Sequence, residues 1–226
     1  MNQNRIEPDS RTDIEELIRK GTLRLREAAA GRDFYQAVPE QPPCGDTLQW
    51  YWKNFGRIIN SDCAKMAYLN RGYIPQDPDS VERFHLLASQ LTVRLIRTML
   101  FDRICPEEYV IFMAGGNGSG KSTFCDGIRH DLHHAWVIDA PLDSCQAARE
   151  ILNHLYSRGL RAVIIQILRS PEEAWHNGVL KCAAHGSHCT LRHIFERSHA
   201  VVNRNVCRLQ KEFQREDLQV YQVDNP

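Results

Sequence analysis

From Thr12 to Ala30 apolar residues recur at helical spacing (Ile14, Leu17, Ile18, Leu23, Leu25). Side chains three and four positions apart share one helix face, so the spacing predicts an amphipathic helix. Thr12 with Glu15 forms a capping box at its start, and the segment runs on to Pro42 and Pro43, which break it. This reads as an N-terminal helical arm over residues 1–48, ahead of a core domain over 49–226. Leu48 to Phe55 is rich in aromatic residues, and the apolar Ile58 and Ile59 pass through Asn60 and Ser61 to Asp62, which predicts a strand ending near Asp62.

Ser80 to Leu100 returns to helical spacing (Val81, Phe84, Leu87, Leu91, Val93, Leu95, Ile96, Leu100) and predicts one long helix. Tyr109 to Ala114 is a continuous apolar run with a β-branched pair, a strand that enters a glycine-rich loop directly. Beyond the loop the pattern predicts a helix over Thr123–Leu132, a short strand over Ala135–Ile138 and a helix over Ser144–Tyr156 that stops at Gly159. Arg161 to Leu168 has no polar alternation, as expected of a strand buried on both faces, and a helix over Leu191–Phe213 leads to a last strand over Leu218–Val223. Strands alternating with helices predict an α/β fold, a mostly parallel sheet with helices on both sides. The chain shows no internal repeat and no low-complexity segment.

The 226 residues suffice for one substantial core. With 28 basic against 28 acidic residues the formal net charge is zero, so no long-range field draws the chain to nucleic acid or to an anionic membrane. No stretch approaches the roughly 20 apolar residues of a membrane helix, and the first residues lack the apolar core of a signal peptide, which sets a cytoplasmic expectation. The eight cysteines follow no paired spacing and read as reduced residues rather than a disulfide framework.

The most specific chemistry lies in Gly115, Gly116, Asn117, Gly118, Ser119, Gly120, Lys121 and Ser122: glycine, four residues, glycine, lysine, then serine or threonine. Glycines let the backbone curl so that successive amides face phosphate oxygens, and the following helix adds the positive end of its dipole. Lys121 reaches the outer phosphates, Ser122 supplies a hydroxyl to magnesium, and Thr123 continues the helix and helps hold an inner phosphate. The expectation is a P-loop NTPase of three-layer α/β/α architecture that binds ATP or GTP with Mg2+. Phosphoryl transfer also needs a carboxylate to activate the acceptor hydroxyl and another near the metal, at the carboxyl ends of strands. Asp62 and Asp139 occupy such places; each could equally cap a helix or turn.

Four stretches together resemble the zeta toxin kinases and their bacterial and phage relatives: Ile59 to Ala64, Val110 to Thr123, Val137 to Asp139, and Arg169 to Gly178 (Arg-Ser-Pro-Glu-Glu-Ala-Trp-His-Asn-Gly). The resemblance covers most of the chain from about Ile58 onward. It implies that Asp62 is the general base, that Asp139 stands near the magnesium, and that the acceptor is a nucleotide-sugar or nucleotide-like small molecule, since zeta toxins phosphorylate a UDP-linked amino sugar. It also raises the expectation of an antitoxin-like protein inhibitor. In the best-known zeta toxins the Asp62-like segment follows the phosphate loop, whereas here it precedes it, which looks like a circular permutation. His85 corresponds to a histidine common in the permuted relatives, though a histidine on a helix also serves polar packing.

The sequence departs from that pattern after Asn177 and Gly178. Relatives carry two arginines there that clamp phosphates in the transition state, and this chain has Cys182 and His188, with Lys181 and Arg192 as the nearby cations that could compensate. Loss of an arginine of this kind costs about three to five orders of magnitude in rate. Two functional readings therefore stand together: a kinase with an alcohol-group acceptor, or a catalytically impaired nucleotide-binding module. A nucleotide-hydrolysing switch is weaker, because a guanine-selective Asn-Lys-x-Asp stretch is absent, and a nucleic-acid end kinase would need a basic stripe. Cys182, His185, His188 and Cys189 carry zinc-ligand chemistry at a spacing that is not a standard zinc site.

Overall fold

A computed structural model describes residues 10–30, 46–75, 77–139, 142, 144–180, 192–216 and 218–225. Five strands, β1 (Ile58–Asn60), β2 (Tyr109–Ala114), β3 (Ala135–Asp139), β4 (Arg161–Leu168) and β5 (Gln219–Asp224), form one sheet in the order β1-β3-β2-β4-β5. All neighbouring pairs are parallel, with Ile111 of the central β2 opposite Val137 on one side and Val163 on the other. Every strand therefore ends at the same edge.

The apolar runs are buried on both faces because alternate residues feed two cores. Val110, Phe112 and Ala114 point into one, with Leu91 and Leu95 of α5 (His85–Thr98), Leu152 and Leu155 of α7 (Cys145–Ser157), and Val202, Val206 and Leu209 of α9 (Arg192–Glu212). Tyr109, Ile111 and Met113 point into the other, with Ile14, Leu17 and Leu25 of α1 (Ser10–Ala29) and Phe124, Cys125 and Ile128 of α6 (Lys121–Ile128). Helices thus cover both faces. Among the described residues no helix is long and apolar enough to cross a membrane.

The predicted N-terminal helix packs directly on the helix that follows the glycine loop. A Cβ added to Gly21 would stand 2.3 Å from the Phe124 ring, and one on Gly127 would stand 2.7 Å from Arg24 Cβ, so two glycines bring α1 and α6 into close contact. Lys20 reinforces the pair through an ion pair to Asp131.

Three local features differ from the pattern. The aromatic segment forms α2 (Thr47–Phe55), capped by the Asp46 carboxylate on the amides of Leu48 and Gln49. The strand before Asp62 ends two residues early, at Asn60, because the Asn60 side chain caps α3 (Ser61–Lys65) and Asp62 enters that helix. The long helix is interrupted: α4 (Pro78–Arg83) ends at Phe84, α5 begins at His85, and a π-helical turn over Met99–Arg103 follows. Phe84 sits in the bridge region (φ −90, ψ −3), and its buried ring packs at 5.7 Å on Tyr73 and 5.8 Å on Tyr68. Aromatic burial there outweighs continuation of the helical ladder.

Candidate functional site

Parallel pairing gathers the chemistry at the carboxyl edge. Asn60 stands opposite Asp139, Asp139 opposite Met113, and Ala114 opposite Gln166, so the loop leaving β2 emerges between the ends of β3 and β4. Gly115 to Gly120 form the turn, and Lys121, Ser122 and Thr123 open α6. Gly120 requires its φ of +104, and a Cβ there would meet the Asn225 side-chain amide at 2.5 Å. The N-cap residue Gly120 has no side chain to cap α6, which leaves its first-turn amides to an anion as far as the described residues go. Lys121 Nζ curls back onto the loop, donating to the carbonyls of Gly115 at 2.9 Å and Gly116 at 3.2 Å.

Asp139 is 4% exposed. Its Oδ2 accepts from Asn60 Nδ2 at 2.6 Å and from Ser122 Oγ at 3.3 Å, whereas the buried Oδ1 has no hydrogen-bond partner among the described residues. Burial, aided by the Asp62 charge, raises its carboxyl above the ordinary range against the opposing pull of Lys121, Asn60 and Ser122. A buried carboxylate oxygen without a donor is costly unless something else binds it. Ser119 Oγ, buried inside the loop, is likewise without a partner among the described residues.

Asn60 organises this corner. Its Oδ1 accepts from the amides of Asp62 at 2.6 Å and Cys63 at 3.0 Å while its Nδ2 holds Asp139, so one side chain fixes both the start of α3 and the acid at the end of β3. Tyr51 Oη in turn accepts the Asn60 amide at 2.9 Å. Asp62, on the first turn of α3, is partly exposed and pairs with the buried Lys65 at 2.8 Å. It therefore lies on the same edge as the glycine loop, with its charge acting on Asp139.

The remaining candidates are dispersed. His85 is the exposed first residue of the helix that returns the chain toward β2, at the end of that helix nearer the carboxyl edge. Arg192 opens α9, ion-pairs with Glu196 at 2.7 Å and stacks over the Trp175 ring at 4.5 Å. Lys181, Cys182, His185, His188 and Cys189 lie outside the described residues. Among the described residues no group of three or more His, Cys, Asp or Glu forms a metal cluster.

Further residues at the edge receive no site role from the sequence, although Arg169 opens one of the four resembling stretches. Arg169 Nη1 reaches Gly118 O at 3.5 Å, Asn225 Nδ2 donates to Ser119 O at 2.7 Å, and Ser198 and His199 contact Asn117. Arg169 and Asn225 each follow a strand at its carboxyl end, a positional signal available in the sequence. Ser198 and His199 sit within a helix and give none. A cavity of about 600 Å3 opens beside the loop, walled by Glu172, Trp175, Arg192, Phe195 and His199. A larger groove of about 720 Å3 between α9 and the start of β5 lies at the opposite edge and holds none of these groups.

No family model matches the chain, and no curated protein matches it.

Proposed function

We propose that the protein is a kinase on a P-loop scaffold akin to the zeta toxins, transferring a phosphoryl group from ATP or GTP to a hydroxyl of a nucleotide-sugar or nucleotide-like small molecule in the cytoplasm. One observation carries the reading. Asp139 keeps an unpartnered oxygen beside Ser122, at the mouth of an uncapped helix whose first residue is Lys121. Lys121, now on its own loop carbonyls, would swing to the outer phosphates. The amides of the α6 first turn would hold inner phosphate oxygens.

Ser122 Oγ and Asp139 Oδ1 are hard oxygen donors that fit Mg2+, and with only these two from the protein the remaining ligands would be phosphate and water oxygens. Magnesium would neutralise charge on the triphosphate. Asp62, on a short helix at the same edge, would accept the proton of the attacking hydroxyl once Lys65 releases it.

A second reading has its own support. Arg192, a cation expected to stand in for the absent arginines, is engaged with Glu196 and Trp175, and Asp62 is engaged with Lys65. A nucleotide-binding module without transfer fits those pairings. The test is incubation with magnesium and labelled ATP or GTP against UDP-sugars, nucleotides and dinucleotides, beside Lys121→Ala and Asp62→Asn. Transfer by the native chain, lost in Lys121→Ala and reduced about 100- to 10,000-fold in Asp62→Asn, is the expected outcome. Binding without transfer to any acceptor moves the module reading to first place.

A further inference from the structure

The apex of the glycine loop is gripped from outside. Asn117 N–H donates to Ser198 Oγ at 3.0 Å, and Asn117 C=O accepts from His199 Nε2 at 2.8 Å. Two consecutive residues of α9, 81 and 82 positions along the chain, thus satisfy both polar backbone groups of a single loop residue.

Ser198 is 4% exposed and donates its own proton to Phe195 O at 2.8 Å, which leaves Oγ oriented as the acceptor for Asn117. A carbonyl cannot donate, so His199 carries its proton on Nε2. The His199 ring lies against Phe195, with centroids 4.5 Å apart. Burial, together with the Lys121 charge, holds the ring below the ordinary histidine range despite the Asn117 carbonyl. Gly116 completes the fit: a Cβ there would stand 2.3 Å from the ring, so no other residue brings the loop this close to α9.

Apolar packing alone would hold α9 against the loop without directional bonds to both backbone groups of one residue. Turning Asn117 outward onto the helix leaves the first-turn amides of α6 for a ligand and restrains a loop in which four of the six positions from 115 to 120 are glycine. We propose that Ser198 and His199 are positioning residues that hold the loop in its triphosphate-binding shape before the ligand arrives. The inference rests on the triphosphate-binding reading of this loop. It makes α9, which also carries the Arg192 wall of the adjoining cavity, part of the nucleotide site.

The test is calorimetric titration of the full chain with Mg-ATP and Mg-GTP, with thermal midpoints recorded without nucleotide. Ser198→Ala and His199→Ala are each expected to weaken binding about three- to tenfold, the worth of one hydrogen bond. His199→Gln, whose amide can donate to the same carbonyl, is expected to remain within about twofold of the native chain. Gly116→Ala displaces the ring and should weaken binding as His199→Ala does. The double variant Gly116→Ala/His199→Ala should then be no weaker than either single, because both remove one contact.

Should His199→Ala fail to fold, Ser198→Ala beside His199→Gln makes the same comparison. Native affinity in Ser198→Ala and His199→Ala, with binding lost in Lys121→Ala, overturns the positioning role and leaves the triphosphate reading standing. Absence of binding by the native chain overturns both.

Discussion

Two carboxylates are buried at opposite edges of the same sheet and are treated in opposite ways. Glu108, just before β2 at the amino edge, accepts from the Cys105 amide and the Trp136 indole at 2.9 Å each and pairs with Arg57. Burial pushes its carboxyl up, but those three donors outweigh it and hold the group below its ordinary value. Asp139, at the carboxyl edge, keeps one oxygen without a donor among the described residues, and burial raises it. The contrast separates roles: a buried acid with every oxygen bonded belongs to the fold, and one left open beside a hydroxyl and a lysine is the one around which the proposed site is built.

The signs of their pH dependence follow. Glu108 is lowered from 4.5, so its stabilising contribution is present above that pH and is lost as the pH falls through the folded value. Asp139 is raised from 3.8, so the folded state favours its protonated form and loses stability as the pH rises from 3.8 through the raised value.

Substitution breaks or sharpens the comparison. Glu108→Gln should cost about 2–3 kcal/mol by denaturant titration at pH 7, a fall of roughly 5–10 °C in Tm, with nucleotide affinity unchanged. The deficit should shrink as the pH falls below 4.5 and through the lowered folded value. Asn60→Ala removes the α3 cap and a donor to Asp139, and should cost about 1–2 kcal/mol in the same titration. Asp139→Asn has the smallest effect and the opposite sign: the ligand-free protein should gain about 1 kcal/mol at pH 7, while magnesium-dependent nucleotide affinity falls. Destabilisation by Asp139→Asn equal to that by Glu108→Gln would remove the distinction between the two acids.

What the sequence displayed depended on how local the physics was. Tyr109–Ala114 and Arg161–Leu168 were legible as strands because burial on both faces leaves an uninterrupted apolar run. The glycine loop was legible because its geometry is dictated by a few adjacent residues, and Asp139 because it ends a strand. The break at Phe84 was not, since it is set by rings of Tyr68 and Tyr73 contributed from elsewhere. Asn60 reads in sequence as one polar residue before Asp62, although its two ends serve different elements at once. The amphipathic spacing of α1 showed a face without showing that it lies against Phe124. Ser198 and His199 look in sequence like any polar pair on a helix, and only the return of α9 to the loop gives them a partner.

The most direct test of the site is the magnesium dependence of nucleotide binding, measured by titrating the native chain and Asp139→Asn with ATP and with GTP, each with magnesium and with chelator. The account expects native binding that magnesium strengthens about tenfold or more and that Asp139→Asn leaves nearly insensitive to the metal. Equal magnesium dependence in the two proteins, or no binding by the native chain, would contradict it.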